Sequence, residues 1–363
     1  MKNLQAGLYD PYLDVLGGGE KHILQILKVL EEKGYQLYIF WDKNLTSDIE
    51  KRFNLRFKSV HFLKNIFKGG FNTFEKMRFL KKFNIFIYVT DGSYFLSTAK
   101  KNFVFAMVPD RKLYNLNLFN KIKLNNYRFI SNSHFTKYWL QRFGLKSDFI
   151  YPGINKDLID LDISKLQKEK IILSVGRFFP QLHSKNQAKM INLFNKIIRN
   201  NVLFKDFRLF LVGGLKDEDN NYINYLKSIA SDNPRIVFKP NITYKELSDI
   251  YKKSFLYWHF TGYGIKQEEN PALVEHLGIA PLEAMAAGCL TFCYQAGGIE
   301  EIIIDGKNGY LFKDTNELIE KMLAVLENAN LIKKIQISAK KTIEDKFSSS
   351  ALMKRVEMVI LNT

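Results

Sequence analysis

Glu275-His276-Leu277-Gly278-Ile279-Ala280-Pro281-Leu282-Glu283-Ala284-Met285-Ala286-Ala287-Gly288 is the stretch on which the reading of this chain turns. Two glutamates stand with seven residues between them, and the second is followed by a run of small side chains. Pro281 suits a helix's first turn, where its missing N–H is no loss, and Ala284, Ala286 and Ala287 let the helix lie close against a sheet. An apolar strand, 290–294, comes next, and Gly297-Gly298 then opens a loop of bare backbone. The pair of carboxylates by itself leaves two other readings open. One is a general acid and base of a hydrolase, and the other is charge stabilisation at a helix start.

Outward from that stretch the same strand-then-helix pattern repeats. Upstream, strands read at 171–175, 208–212, 236–239 and 255–259, and downstream at 310–312, with helices over 186–200, 220–231, 244–253 and 315–328. The first half gives strands at 4–8, 36–41, 57–62, 85–90, 103–108, 128–131 and 148–151. Its helix over 20–33 carries apolar Ile23, Leu24, Ile26, Leu27 and Leu30 and stops at Gly34. Short apolar runs alternating with helical periodicity predict an α/β chain of two Rossmann-like, doubly wound domains. Pro152-Gly153 breaks the last strand of the first half, and a polar stretch runs from there to Ile171. Domains are therefore expected over 1–165 and 166–347. Ser348-Ser349-Ser350 caps a last helix within 348–363, expected to pack back on the first domain.

Composition agrees with two globular domains. In 363 residues, 46% are hydrophobic and 25% charged, which excludes wholesale disorder. The longest charge-free run, Ala284 to Ile299, has 16 residues and three glycines, short of the roughly 18–20 apolar residues of a membrane span. Met1-Lys2-Asn3-Leu4 lacks an apolar signal core, so a cytoplasmic protein is expected. Cys289 and Cys293 are too few for a disulfide framework or a four-ligand zinc site. Asp160-Leu161-Asp162 looks like a metal-binding pair but lies in the linker and reads as solvated. No strand-end cluster has metal-ligand spacing, so neither a metal nor another cofactor is expected.

The net charge of +17 is local: between Lys51 and Lys146 stand 20 lysines and arginines against only Glu75, Asp91 and Asp110. Such a zone attracts nucleic acid, anionic lipid headgroups or phosphorylated substrates, unless it reflects the chain's general bias towards Lys, Asn, Ile, Phe and Tyr. Within it Lys76, Arg78, Lys81 and Lys82 with Phe79 and Phe83 suit a surface that meets anionic headgroups while its aromatics dip in. Two further clusters suit phosphate. Gly17-Gly18-Gly19 precedes the first helix, where backbone N–H groups and the helix dipole face an anion. It is no dinucleotide fingerprint, since no G-x-G-x-x-G follows the first strand. Gly176-Arg177 ends a strand, and Lys185 stands eight residues later at a helix entrance, so two cations flank a place for a diphosphate.

Taken together, the E-x7-E element, the Ala-Met-Ala-Ala-Gly run, Gly297-Gly298, Gly176-Arg177 and Lys185 resemble the group 1 glycosyltransferases, the retaining family 4 with the GT-B fold. Ile130-Ser131-Asn132-Ser133 and Tyr151-Pro152-Gly153-Ile154 are similar to segments of the same family. The resemblance implies two Rossmann-like domains facing a central cleft. Arg177 and Lys185 would then hold a donor's diphosphate, and Glu275 the hydroxyls of the transferred sugar. Glu283 would bind the ribose, with Gly278, Ile279, Ala280, Gly297 and Gly298 also around the donor. Gly18, Gly19 and His22 would meet phosphate or acceptor from the first domain. The family commonly has a histidine where this chain has Met107. His259 reads as a buried, satisfied histidine, and His276 as lining the sugar pocket.

The implied activity is sugar transfer from a nucleotide-sugar to a glycan or lipid-linked acceptor in cell-surface polysaccharide or glycolipid synthesis. It would be independent of metal and take place at or near an anionic membrane surface. A nucleotide-sugar epimerase on the same fold is the alternative enzyme. A nucleic-acid-binding protein is the rival from another class, but it leaves Glu275 and Glu283 unexplained, so no nucleic acid is expected as partner.

Overall fold

The computed structural model describes residues 4–180 and 184–362; Met1–Asn3, at the start read for a signal core, lie outside the described residues. The chain divides into two compact units, one running up to Gly153 and resuming from Ser350, the other spanning Ile154–Ser349. The segment 154–165, assigned from sequence to the first domain, therefore belongs with the second unit.

The first unit is a parallel sheet of seven strands. They are β1 Gln5–Tyr9, β2 Gln36–Phe40, β3 Val60–Leu63, β4 Ile85–Val89, β5 Lys101–Ala106, β6 Tyr127–Ser131 and β7 Ser147–Phe149. Their order across the sheet is β3-β2-β1-β4-β5-β6-β7. The helices are α1 Gly18–Glu32, α2 Thr46–Phe53, α3 Thr73–Leu80, α4 Leu118–Leu124 and α5 His134–Arg142. β4 is buried at all five positions, as a strand covered on both faces must be. One face packs Ile23, Leu24 and Leu27 of α1 against Leu8, Ile39 and Ile87. The other is aromatic, with Tyr9, Phe40, Phe83, Phe86 and Tyr88 under Leu80 of α3 and Leu124 of α4.

The second unit begins with α6 Lys156–Ile159 and builds a six-stranded parallel sheet of β8 Glu169–Val175, β9 Arg208–Gly213, β10 Ile236–Pro240, β11 Ser254–His259, β12 Leu290–Tyr294 and β13 Tyr310–Phe312. The order is β10-β9-β8-β11-β12-β13. Its helices are α7 Gln187–Asn200, α8 Asn220–Ala230, α9 Tyr244–Lys253, α10 Ile279–Ala286, α11 Thr315–Leu326 and α12 Ala329–Phe347. α13, Ser349–Val356, then returns the chain to the first unit, where Leu352, Val356, Val359 and Ile360 join the α1 face of the core.

All thirteen strands lie where the sequence places them, to within a few residues. β3 starts three residues late, because Phe57 packs beside the core without pairing. Helices α2, α3, α4, α5, α6 and α12 were not read from sequence. α3 and α4 expose Phe74, Phe79, Leu118, Phe119 and Ile122, so their apolar residues do not trace one buried stripe. α12 has such a stripe, Ile335, Ala339, Ile343 and Phe347 at four-residue spacing, and that spacing was the available signal.

Candidate functional site

In the second unit the strand order reverses direction at β8 and β11. Ligands of open α/β sheets gather outside the carboxyl ends of the strands at such a switch point. Three side chains meet there. Lys185 Nζ donates to Glu275 Oε2 at 2.7 Å, and His259, the last residue of β11, places Nε2 2.9 Å from the same oxygen. Lys185 and Glu275 keep 20% and 16% of their side chains exposed, so the pair is sheltered but reachable.

The backbone around them explains the convergence. A Cβ on Gly176 would overlap Lys185 Cγ, and one on Gly213, at the end of β9, would overlap the Gly176 carbonyl oxygen. Bare backbone at both positions lets the lysine stem cross the strand end. Asn186 adopts a left-handed φ of 55° and donates from Nδ2 to Phe260 O at 2.9 Å, tying the entrance of α7 to the end of β11. Glu275 is held from the other side: Gly298 N donates to its carbonyl oxygen at 2.8 Å.

Burial alone would raise the Glu275 carboxyl. The Lys185 ammonium, together with hydrogen bonds from His259 and Lys185, outweighs burial and holds it well below the usual carboxylate range. Burial lowers the His259 imidazole, and the Glu275 carboxylate only partly restores it. Glu275 is therefore ionised and His259 neutral near pH 7.

Glu283 sits on α10, buried, and accepts a hydrogen bond from Tyr251 OH at 3.0 Å. The two glutamates of the motif thus have separate partners, Lys185 and His259 for one and Tyr251 for the other. Gly278, at φ 99°, makes the sharp entry into α10, leaving Ile279 and Ala280 in its first turn. Arg177 follows β8 with its guanidinium over the Phe179 ring at 5.3 Å, and is not drawn into the Lys185–Glu275 pair. His276 is buried, its Nε2 3.3 Å from Ala272 O. His259 is buried, as read from sequence, but it also touches the key carboxylate. The sequence concealed this because the contact depends on a loop that brings Glu275 back over the strand end.

In the first unit, Gly17 N donates to Glu20 Oε2 at 2.6 Å as α1 begins. A Cβ on Gly19 would overlap Met107 Sδ, so Met107, one residue beyond β5, lies against the glycine turn. His22 does not face a surface. It is 2% exposed with its ring edge-on to Phe105, and burial pushes its pKa down to about 3. Asp10, passed over in the sequence, is fully buried just after β1. Burial and nearby Glu20 raise its carboxyl well above the ordinary value, and its Oδ2 has no hydrogen-bond partner among the described residues.

The basic zone belongs to this unit. Phe79 is exposed beneath Lys82 Nζ at 5.5 Å, whereas Phe83, expected at the same surface, is 3% exposed because it packs under Tyr38 and Phe40. Phe74 and Phe119 are each 74% exposed. Among the described residues no group of three His, Cys, Asp or Glu side chains is placed to hold a metal ion, and no helix is long and apolar enough to cross a membrane.

Residues 156–342 match the family described as glycosyl transferases group 1. The chain is 25% identical over 207 residues to a mouse GDP-Man:Man(3)GlcNAc(2)-PP-Dol alpha-1,2-mannosyltransferase, a match covering 53% of this chain and 39% of that protein. It thus spans well under half the length of that relative. A glycosyltransferase of Methanocaldococcus jannaschii is 25% identical with 96% of this chain and 95% of that one covered. Among solved structures, a Rickettsia africae glycosyltransferase superposes with a TM-score of 0.73 at 17% identity over all of both chains. Anabaena HepE in complex with UDP and glucose superposes at 0.71 with 16% identity, covering 99% of this chain and 100% of that one. At those identities the likeness speaks for the fold: two parallel α/β units of the GT-B kind.

Proposed function

This chain belongs to the group 1 glycosyl transferases, and we propose that it moves a sugar from a nucleotide-sugar donor to a glycan or lipid-linked acceptor, retaining the sugar's anomeric configuration. The observation that carries the reading is the convergence of Lys185 and His259 on Glu275 at the switch point of the second sheet. In this reading the diphosphate lies by Lys185 and Arg177, whose positive charges stabilise the negative charge that grows as the sugar–phosphate bond breaks. Glu275 accepts from the sugar's hydroxyls and Glu283 from the ribose. Ile279, Ala280, Gly297 and Gly298 border the donor with backbone. The acceptor attacks on the face the leaving group vacates, so no protein nucleophile is needed. Gly18 and Gly19 are the groups proposed to meet phosphate or acceptor from the first unit.

The donor is tested by incubating the protein with GDP-mannose, UDP-glucose and UDP-N-acetylglucosamine in EDTA and following thermal protection and turnover. One of them is expected to raise the melting temperature, by mass action on the folded state, and to be consumed without added metal. Consumption abolished by EDTA and restored by magnesium or manganese would overturn the metal-independent mechanism. Protection by none of a wide panel would overturn the donor site.

We also propose peripheral association with an anionic membrane, consistent with a lipid-linked acceptor made at its cytoplasmic face. Its basis is the array of Lys76, Arg78, Lys81 and Lys82 beside exposed Phe74 and Phe79 on and after α3, together with Leu118, Phe119 and Ile122 beside Lys121 on α4. Each cation near such a surface contributes roughly 1 kcal/mol, so a handful holds the protein reversibly. Co-sedimentation with phosphatidylglycerol vesicles is expected at low salt, weakened at high salt and weakened again in the Lys76/Lys81/Lys82→Glu variant. Binding that is absent, or indifferent to salt and substitution, would mark the charge as compositional bias.

A further inference from the structure

His259 closes β11, 2% exposed, its ring nearly parallel to that of Tyr257 at 6.3 Å. A strand-end imidazole packed this way has little freedom. An ionised carboxylate only accepts hydrogen bonds, so the proton between His259 and Glu275 sits on Nε2 and the imidazole donates. Lys185 donates to the same Oε2, so both donors converge on one oxygen. Glu275 Oε1 carries no hydrogen bond among the described residues, on a side chain that remains 16% exposed. A lysine alone, on a flexible stem, would leave the carboxylate free to turn about its last torsion. A second donor from a different element removes that freedom.

We propose that His259 is a positioning residue for the transferred sugar: together with Lys185 it fixes Glu275 Oε2, so that Oε1 is presented to the sugar's hydroxyls. The proposal rests on the donor-site reading above and assigns His259 no contact with substrate. Its chemical consequence is selective. The nucleoside diphosphate half of the donor does not depend on Glu275 Oε1, but the sugar half does. Losing His259 therefore lowers the affinity added by the sugar and the rate of its transfer, and spares the affinity for the nucleotide.

The test uses the full-length chain with His259→Phe, which keeps an aromatic ring but no donor, and His259→Gln, whose amide restores an N–H. Calorimetry with GDP and GDP-mannose, and with UDP and UDP-glucose, gives the affinity contributed by the sugar. In His259→Phe the nucleoside diphosphate is expected to bind within about twofold of wild type, with the nucleotide-sugar about tenfold weaker and kcat reduced, as for loss of one hydrogen bond to a charged group. His259→Gln is expected to recover most of both. Unchanged nucleotide-sugar binding and turnover in His259→Phe would overturn the proposal. So would an equal loss for nucleoside diphosphate and nucleotide-sugar, which is the pattern of a merely structural role. If wild type binds no nucleoside diphosphate or nucleotide-sugar of the wide panel, the donor-site reading fails first and this inference with it. Imidazole 15N NMR of the wild type needs no variant, and with six histidines in the chain the assignment is tractable. The neutral Nε2–H form is expected for His259, and the Nδ1–H form would sink the proposal.

Discussion

Lys185→Ala is expected to lower kcat about 100- to 1,000-fold, the loss seen when one preorganised donor is removed from a developing anion, and to raise donor KM about tenfold because Glu275 loses one of its two orienting donors. Lys185 Nζ stands 2.7 Å from Glu275 Oε2, so the substitution strikes twice. It removes the cation proposed to stabilise the departing diphosphate, and it strips Glu275 of the positive charge that offsets its burial. Burial, which favours the neutral acid, is then opposed by His259 alone. Protonation of Glu275 begins at a higher pH than in wild type, and the acidic limb of the pH–rate profile moves up. Glu283→Ala is the contrast. A ribose contact is made equally in ground and transition states, so donor KM is expected to rise about 10- to 100-fold with kcat largely kept. Glu283→Gln, which still accepts from Tyr251 OH, separates the ribose contact from the loss of the Tyr251 hydrogen bond. Steady-state kinetics on the three variants decides the matter, and unchanged constants in both Lys185→Ala and Glu283→Ala would remove the donor-site assignment.

Why Lys185 and Glu283 could be picked out of the sequence, and His259 could not, is a matter of range. Pro281 and the alanines mark α10, and a lysine at a helix entrance eight residues after Gly176-Arg177 is legible in one local window. The parallel sheets were legible for the same reason: each buried strand, such as Ile85–Val89, announces itself in five residues. His259 has no such window. Its role comes from β11 running between β8 and β12 while the chain after it loops back to set Glu275 over its end, a fact of tertiary path. His22 failed in the opposite sense. It lies close behind Gly19 in sequence, yet helical rotation turns its ring onto Phe105 and into the core. Phe83 misled likewise, since the basic residues before it are exposed and it is not. A run of cations says nothing about the direction of the next aromatic side chain.

Gly298→Ala is expected to lower turnover about 100-fold and to destabilise the second unit, although it adds only one methyl group and removes no group proposed to take part in the chemical step. The Gly297-Gly298 turn packs backbone to backbone against the loop that carries Glu275. A Cβ on Gly297 would overlap the Glu275 carbonyl oxygen, and one on Gly298 the His276 carbonyl oxygen. Neither obstacle is the tip of a flexible side chain, so the loop itself must retreat. Retreat stretches the 2.8 Å bond from Gly298 N to Glu275 O and draws the carboxylate away from Lys185 and His259. Overpacking of this kind costs about 1–3 kcal/mol, and a shift of even 1 Å at a catalytic group costs about 100-fold in rate. Gly306→Ala supplies the control. Gly306 has φ 70° and, among the described residues, nothing within 4 Å of an added Cβ, so it bears only backbone strain. That strain is about 1–2 kcal/mol. Thermal melts and turnover measured together are expected to show comparable losses of stability in the two variants and loss of activity in Gly298→Ala alone. Full activity in Gly298→Ala would mean that the loop yields without moving Glu275, and the carboxylate's placement would then have to come from Lys185 and His259 by themselves.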